Sequence, residues 1–398
     1  MSVSSHDDPV VIVSAVRTPV GGLLGVFSPL SGAQLGAVAV RAAVERAGID
    51  GGDVDEAILG NCLIAGQGQA PARQAVRGAG LPDHVGATQI SKMCGSGLKA
   101  VMLCHDLLLA GSNRVMIAGG FESMTNAPHL LLKGRTGTRY GTATLYDHMA
   151  LDGLEDAYER GTPMGVFAER TVERYGISRA EQDAFAIESL ARAKKANEDG
   201  SFDFEIAPVE IAGKAGTELI RHDEQPAKGR PDKIPTLKPA FKKDGTITAA
   251  TSSSISDGAS ALVLMRQSEA SRRGLKPLAR IVGHSGHARL PAEFTIAPVH
   301  AITTLLGQIG WASAEVDLWE INEAFAVVTM AAMRDHNLAH DRVNVHGGAC
   351  AIGHPIGASG ARILTTLLGA LRKTNGKRGI ASLCIGGGEA VAVAVEMI

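Results

Sequence analysis

The chain has 398 residues, which is too long for one ordinary hydrophobic core and fits two packed domains or a duplicated unit with an insertion. Hydrophobic residues make up 45% and charged residues 20%, the balance of a soluble globular protein. The net charge of -2 provides no global basic field that would recruit nucleic acid or anionic lipid, so we expect neither as a partner.

The cysteines indicate a reducing compartment. Their number is odd, and they form no CxxC pair and no metal-ligand spacing, so we expect neither a disulfide framework nor a cysteine metal site. The first nine residues lack the pattern of a signal or transit peptide. No uninterrupted apolar run approaches the roughly 18 residues that a membrane span needs. We therefore expect a cytoplasmic protein without a membrane partner; its cysteines are Cys62, Cys94, Cys104, Cys350 and Cys384.

The first 122 residues alternate between strand and helix patterns. Residues 10–15 predict a buried strand, and residues 31–46 predict a helix with Ser31 as a possible N-cap and Gly48 as its stop. This alternation indicates an α/β fold with a largely parallel sheet. The later elements are residues 88–93, which lead into Cys94, an apolar helix at 98–110 closed by Gly111, and a buried strand at 114–119.

Residues 123–249 differ in composition, with few apolar strand patterns and frequent glycines, prolines and charged residues. Ser178 and Glu181 form a capping box for a helix that runs to about Asp199. The end of the region is basic, which fits either a solvated surface excursion or an inserted domain that meets an anionic ligand. The basic residues are Lys214, Arg221, Lys228, Arg230, Lys233, Lys238, Lys242 and Lys243.

After Thr251 the α/β pattern returns. A glycine-rich turn opens a helix in each half, at residues 94–97 and 357–360, which suggests duplication, although such turns also recur by chance. The predicted elements are strands at 261–265, 279–282 and 316–321, a helix at 322–336, and a final strand pair at 380–385 and 391–396.

Cys94 is the first candidate for catalysis. It follows a strand and precedes a helix, and Gly95 and Gly97 clear space around its sulfur. A thiol at a helix N-terminus feels the positive end of the helix dipole, so we expect a lowered pKa. The alternative is a small buried hydrophobe, the usual fate of a free cysteine.

His354 is the candidate base among 13 histidines. Pro355 disfavours helix at His354 and holds it extended, on a turn just before a helix. The local competitor is His346. A lone histidine is more often a surface or core residue.

Cys384 ends a strand immediately before Ile385 and three glycines, whose backbone N–H groups are suited to binding a developing oxyanion. The alternative is a core cysteine. Asn322 heads a predicted helix and by itself is a plausible N-cap. Cys62, Cys104 and Cys350 are assigned to packing.

These segments together resemble the thiolase superfamily. Similarity covers nearly the whole chain, and four catalytic blocks stand in the expected order. The blocks are SKMCGSGLKA at 91–100, NEAFA at 322–326, GHPIGASG at 353–360 and CIGGG at 384–388, with AVRTP at 15–19 and SDGA at 256–259 as further matches.

The resemblance implies a thiolase fold with two similar halves in a layered α-β-α-β-α arrangement. The N-terminal half would span residues 1–122 and be completed by about 250–276. An inserted, CoA-binding loop domain would span 123–249, and the C-terminal half 277–398. It also implies a homo-oligomer, a dimer of dimers.

The resemblance further implies a ping-pong acetyl-CoA C-acetyltransferase that needs no metal or other cofactor, since coenzyme A is substrate and product. Cys94, activated by His354, would take the acyl group, and Cys384 would abstract an α-proton from acetyl-CoA. One oxyanion hole would use His354 and a water held by Asn322. The other would use the backbone N–H groups of Cys94 and Gly386.

Substrate contacts follow from motif matching. Ser253 matches a pantetheine-contacting serine, and Lys228 and Arg230 should meet the CoA phosphates. Pro163, where biosynthetic thiolases often carry His, and Phe294, where many carry Met, depart from the family pattern and bear on acyl-chain preference. The positions that match pocket-lining residues are Leu154, Met164, Ala249 and Phe325.

Four alternatives stay open at this point. The nearest is a 3-ketoacyl-CoA thiolase for longer or carboxylated chains. A ketoacyl-carrier-protein synthase is disfavoured by the second cysteine, Cys384. A non-catalytic CoA- or lipid-binding relative is disfavoured by retention of all four catalytic residues, and a nucleotide-binding protein by the lack of a GxGxxG turn between strand and helix.

Overall fold

A computed structural model of the chain describes residues 8–213 and 216–398, so Lys214 and most of the N-terminal segment lie outside the described residues. The strands are β1 Val10–Arg17, β2 Gly21–Gly22, β3 Glu56–Gly60, β4 Gly86–Ile90, β5 Val115–Ser123, β6 His129–Leu130, β7 Tyr146–Asp147, β8 Val209–Gly213, β9 Gly216–Ile220, β10 Ser256–Arg266, β11 Ala279–Ala288, β12 Leu318–Ile321, β13 Arg378–Ile385 and β14 Glu389–Met397. The helices are α1 Gly32–Ala47, α2 Pro71–Gly78, α3 Ser96–Ala110, α4 Met164–Tyr175, α5 Arg179–Glu198, α6 Glu224–Lys228, α7 Gln267–Arg272, α8 Ala297–Ile309, α9 Ala326–His336, α10 Ala349–Ile352 and α11 Ile356–Thr374.

One large sheet with the order β12-β13-β14-β11-β1-β10-β5-β3-β4 organises the chain. Among its described strands, three neighbouring pairs are parallel, namely β3–β4, β3–β5 and β12–β13. The other neighbours are antiparallel. The expectation of a largely parallel sheet is therefore wrong. The cause is the insertion of β10 and β14 as antiparallel strands beside β5 and β13, a pairing that local periodicity does not reveal.

The two halves of the sheet repeat one pattern. In each, a parallel pair is extended by two antiparallel strands: β3, β5, β10 and β1 in the first half, and β12, β13, β14 and β11 in the second. The halves meet at a short antiparallel seam, where Val11 faces Arg280 and Ile12 faces Ala279. The suggested duplication is thus visible in strand order.

Helices cover both faces of each half. Alternate residues of β1 explain this arrangement, because Val10 and Ile12 face a central core with α3 and α11, whereas Val11 and Val13 face an outer core with α1 and α2. On the second half the outer core is built by α8. The result is five layers, α-β-α-β-α, with α3 and α11 in the middle.

The central helices approach the sheet closely at two glycines. A Cβ on Gly120 of β5 would lie 2.1 Å from the carbonyl oxygen of Gly357 in α11, which no side chain tolerates. The contact brings the start of α11 against the end of β5, next to the turn that precedes α3.

The stretch Met93–Ala110, which contains α3, is long and apolar enough, by length and composition, to cross a membrane. Half of that stretch is buried inside the protein, and α3 packs against α11 in the central layer. A helix buried in the core of a protein is apolar for the same reason, so the position of α3 explains its composition.

Two predicted helix boundaries are confirmed by their caps. The hydroxyl of Ser31 accepts from the backbone N–H of Gln34, and α1 ends at Gly48 in a left-handed conformation. Ser178 and Glu181 form the expected capping box of α5. In contrast, α9 begins at Ala326, so Asn322 is not its N-cap. The backbone N–H of Asn322 instead donates to the carbonyl of Ser382 at 3.0 Å, in continuation of the β12–β13 pairing.

Candidate active site

Cys94 lies on a tight turn between β4 and α3. Met93, just before it, has φ of 45°, a left-handed conformation that costs a bulky residue about 1–3 kcal/mol. Its carbonyl oxygen accepts from the hydroxyl of Ser96 at 2.7 Å and from the thiol of Cys62 at 3.3 Å. These bonds hold the turn, and they place the half-buried Cys94 just before the N-terminus of α3.

The Cys94 thiol is harder to ionise than the sequence indicates. Burial raises its pKa to about 11, although backbone N–H groups of Gly386 and of Cys94 itself oppose the shift; the carboxylate of Glu122 adds to it. The expectation that the helix terminus lowers this pKa is therefore wrong, because desolvation outweighs the N–H donors. The resting nucleophile is a thiol and needs a base.

His354 supplies a neutral imidazole. Its backbone N–H donates to the carbonyl of Ser254 at 3.1 Å, and its Nδ1 lies 2.6 Å from the hydroxyl of Ser359. Burial, and then the charge of Arg362, lower the pKa of His354 to about 3. Its Nε2 is buried and has no hydrogen-bond partner among the described residues. An unpaired buried nitrogen of this kind is suited to accepting a proton.

The competitor His346 lies in a different environment. Its ring packs edge-to-face against Phe202 with centroids 5.8 Å apart. Burial, and then the nearby charge of Lys373, lowers its pKa to about 4. Since Phe202 belongs to a core away from the cysteines, His346 is a packing residue.

Cys384 and Asn322 complete the polar centre. Cys384 is buried at the end of β13, and burial, with Cys94 nearby, raises its pKa well above the ordinary range. The amide oxygen of Asn322 lies 3.4 Å from Nη2 of Arg362. The amide nitrogen of Asn322 is buried without a partner among the described residues. The site therefore offers one free acceptor and one free donor.

Ile356 links the histidine turn to the nucleophile. It lies two residues after His354 and belongs to the same apolar cluster as Cys94 and Leu154. A Cβ on Gly95 would lie 2.4 Å from the side chain of Ile385, so the glycine beside Cys94 lets the Cys384 turn approach.

Glu122 is a structural anchor that the sequence reading missed. This buried carboxylate accepts from the side chain of Asn61 at 2.6 Å, from the backbone N–H groups of Cys62 and Leu63, and from that of Gly357 at 2.9 Å. Burial raises its pKa to about 7. An acidic residue in an otherwise apolar strand was the available signal.

Glu323 anchors the opposite side. It accepts from Ser189, from the backbone N–H of Cys350 at 3.1 Å and from the amide of Asn344 at 2.9 Å. A Cβ on Gly348 would lie 2.3 Å from the Glu323 carboxyl group. Glu323 thus fixes the loop that carries Asn322 against the segment that leads to His354.

An apolar wall stands beside Cys384. Phe294, Phe325 and Met164 share its cluster, and the rings of Phe294 and Phe325 lie 6.4 Å apart. A Cβ on Gly386 would be 3.7 Å from the terminal methyl of Met164. The predicted lining residues Phe294, Phe325, Met164 and, in the neighbouring cluster, Leu154 therefore surround the cysteines.

The other predicted substrate residues lie further out. Ser253 is half-buried, and its backbone N–H donates to the carbonyl of Ala324 at 3.0 Å. Ala249 and Pro163 are exposed. Lys228 forms an ion pair with Glu224 at 2.5 Å, and Arg230 is exposed. Lys228 and Arg230 therefore lie on the surface and not at the sulfurs. A role in binding phosphates would not require either residue to reach the sulfurs.

The cysteines do not lie in the larger surface grooves of the protein. Two surface grooves of about 500 and 620 Å³ contain none of the predicted site residues. In the described part of the chain, the one group of three possible metal ligands lies at the far end of α3. The chemistry of the centre rests on two thiols, an imidazole, an amide and backbone N–H groups.

Comparison with known proteins agrees with this geometry. Residues 10–268 match the family model "Thiolase, N-terminal domain" and residues 275–397 match "Thiolase, C-terminal domain". A probable acetyl-CoA acetyltransferase of Dictyostelium discoideum is 46% identical over 98% of this chain and 94% of its own length. The mitochondrial acetyl-CoA acetyltransferase B of Xenopus laevis is 48% identical over 98% and 92%.

Solved structures agree as well. The Bacillus anthracis acetyl-CoA acetyltransferase is 39% identical, covers 98% of this chain and 99% of its own, and superposes with a TM-score of 0.95. A thiolase from Ascaris suum in complex with coenzyme A is 40% identical, covers 98% and 100%, and has a TM-score of 0.93.

Proposed function

This chain belongs to the thiolase family, and we propose that it is an acetyl-CoA C-acetyltransferase, which joins two acetyl-CoA molecules into acetoacetyl-CoA and CoA and catalyses the reverse cleavage. The observation that carries the proposal is the close packing of the Cys94 turn, at Gly95, against Ile385, the residue after Cys384, in a site that also holds a histidine with a free nitrogen.

In the first half-reaction the Cys94 sulfur attacks the thioester carbonyl of acetyl-CoA while its proton passes to Nε2 of His354. The negative oxygen is stabilised by the backbone N–H groups of Cys94 and Gly386, the donors that already reach the sulfur. The carbon–sulfur bond to CoA breaks, and Cys384 gives its proton to the leaving CoA sulfur. The products are an acetyl-Cys94 enzyme and free CoA.

In the second half-reaction the Cys384 thiolate takes an α-proton from another acetyl-CoA. The enolate oxygen is stabilised by the protonated Nε2 of His354 and by a water held at the free amide nitrogen of Asn322. The enolate carbon attacks the acetyl group, and the bond to Cys94 breaks as its sulfur regains the proton from His354. Protons and bonds balance over the cycle, and no metal takes part.

Substrate binding is proposed to divide between two regions. Met164, Phe294, Phe325 and Leu154 enclose the acyl group, since they already pack around the cysteines. Residues 123–249, with Ser253 and Ala249 at their edge, bind CoA, and Lys228 and Arg230 contact its phosphates. Exposure of both cations supports this role, because neither is buried in the core.

We further propose a cytoplasmic homo-oligomer, a dimer of dimers. The sheet ends at β4, a partly exposed edge strand directly before the Cys94 turn, and an unpaired edge favours pairing with a second copy. All five cysteines are free, which fits a reducing compartment. Light scattering on the purified protein tests the assembly, and a monomer would contradict it.

A chain-length series of 3-ketoacyl-CoA thiolysis rates tests the function. We expect acetoacetyl-CoA to give the highest kcat/KM. Faster cleavage of a six-carbon or carboxylated substrate would transfer the assignment to the longer-chain thiolase. Absence of turnover and of acyl-enzyme with every substrate would favour the non-catalytic CoA-binding relative.

A further inference from the structure

Three possible metal ligands meet far from the catalytic cysteines. His105 and Asp106 stand near the C-terminal end of α3, and His284 stands in β11. Oδ1 of Asp106 lies 3.1 Å from Nδ1 of His105 and 2.8 Å from Nε2 of His284. One ligand atom from each of the three lies within 4.8 Å of the other two.

We propose that His105, Asp106 and His284 form a zinc-binding site. Two imidazole nitrogens and one carboxylate oxygen are a ligand set that zinc accepts, with the fourth position open to water. In the present arrangement each ring can donate an N–H to the same carboxylate oxygen. The cation would replace those two protons.

The geometry requires a small adjustment. Ligand atoms around a tetrahedral zinc at about 2.0–2.2 Å lie roughly 3.3 Å apart. The Asp106 oxygen must therefore retreat from both rings by a few tenths of an ångström, and the two ring nitrogens, which lie within 4.8 Å of each other, must come to the same spacing. The Asp106 side chain is 52% exposed and is free to turn, whereas those of His105 and His284 are 12% and 18% exposed and are held by packing. Two fixed ligands and one adjustable ligand suit capture of an ion from solvent.

Charge also favours a cation here. Asp106 supplies the one acidic group among the three proposed ligands. The nearby cation Arg280 pairs with Glu396 at 2.8 Å. Magnesium and calcium prefer oxygen ligands and fit this nitrogen-rich set poorly.

The position of the site indicates a structural role. His105 lies eleven residues beyond Cys94, roughly 16 Å along a helix, so the ion would not touch the reacting atoms. The two elements that supply the ligands belong to different halves of the molecule. A bound zinc would tie the central helix of the first half to a strand of the second.

Isothermal titration of the purified full chain with ZnCl₂ tests the proposal, after metal removal by chelator and blocking of thiols with iodoacetamide. We expect one equivalent per chain, and a rise of a few degrees in Tm at saturating zinc. Cobalt should give the absorption bands of nitrogen and oxygen ligands without a thiolate charge-transfer band. Magnesium should produce neither effect.

Three variants decide the outcome. His105→Ala and Asp106→Asn should lose the equivalent and the Tm rise, while His84→Ala, which removes an exposed histidine elsewhere, should keep both. Thiolysis activity should be unchanged in all three, so failure here is separate from failure of the proposed function. Retention of the zinc equivalent in Asp106→Asn and His105→Ala, or no binding by the parent chain, overturns the proposal.

Discussion

Nδ1 of His354 lies 2.6 Å from the hydroxyl oxygen of Ser359, and that hydroxyl lies 2.9 Å from the carbonyl oxygen of Pro355. A backbone carbonyl only accepts, so the hydroxyl donates to Pro355 and must accept from Nδ1–H. The neutral histidine therefore carries its proton on Nδ1, and Nε2 presents a lone pair. Ser359 is a positioning residue that selects the reactive tautomer.

Ser359→Ala should lower the rate of Cys94 acylation about tenfold or more, because an unselected tautomer leaves Nε2 protonated part of the time. KM for acetoacetyl-CoA should change little, since Ser359 is fully buried behind His354. The measurement is kcat and KM for acetoacetyl-CoA thiolysis. Thr365→Ala removes a buried hydroxyl from the same helix, 3.1 Å from Ser260, and should leave kcat unchanged. Equal losses in both variants would show a merely structural effect.

Alkylation of Cys94 by iodoacetamide should rise about tenfold per pH unit between pH 7 and 10, because the thiolate fraction grows up to its pKa of about 11. Cys94 should still react before the other four, since burial raises the pKa of each of them further than that of Cys94. Mass spectrometry of tryptic peptides measures both. A plateau near pH 7 would show that the thiolate is stabilised after all.

Acylation of the same sulfur by acetyl-CoA should vary little from pH 5 to 9. The reason is that the proton passes directly to His354, whose pKa of about 3 keeps it neutral throughout that range. Rapid-quench detection of the acetyl-enzyme measures the rate. A tenfold rise per pH unit here would remove His354 from the role of base.

Cys384→Ala should still form the acetyl-enzyme, because CoA can leave as a thiolate when Cys384 is not there to protonate it, but it should lose condensation and exchange of the acetyl α-protons. Cys94→Ala should form no acetyl-enzyme. Deuterium exchange followed by NMR separates the two. Cys104→Ser is the matched control, since its side chain keeps the carbonyl of Ile117 as acceptor. Normal exchange in Cys384→Ala would assign the base elsewhere.

The parent enzyme should cleave a six-carbon 3-ketoacyl-CoA roughly tenfold or more less efficiently than acetoacetyl-CoA, because each unaccommodated methylene costs about 1–3 kcal/mol. Phe294→Ala should reduce that ratio, since it opens the apolar wall beside Phe325. The measurement is the ratio of kcat/KM for acetoacetyl-CoA to kcat/KM for the six-carbon substrate. Phe185→Ala, which removes a ring stacked on His340, controls for general loosening and should keep the ratio.

The sequence predicted helix boundaries correctly where they depend on contacts between residues close together in the chain. The caps at Ser31 and Ser178 and the glycine stop at Gly48 depend on residues within one turn, and all three are confirmed. The direction of strand pairing is not local. It depends on β10, which follows a long insertion, and neither periodicity nor turn residues report that pairing.

The chemistry of the site divides in the same way. The motifs predict catalytic roles for Cys94, His354, Asn322 and Cys384, but the raised pKa of Cys94 comes from burial, which helix position alone does not reveal. Glu122 and Glu323 were missed because their partners lie far along the chain. The group formed by Asp106 and His284 was missed for the same reason, since 178 residues separate them.

The placement of β10 between β1 and β5 sets a constraint on how the chain folds as it is synthesised. About 130 residues separate the end of β5 from the start of β10, and a ribosome adding about 5–20 residues per second needs roughly 7–26 s to supply them. During that interval β1 and β5 both lack the strand that lies between them, and their apolar edges are open to other chains. The first half therefore cannot close before β10 has left the ribosome tunnel, and until then the open strand edges expose the nascent chain to aggregation.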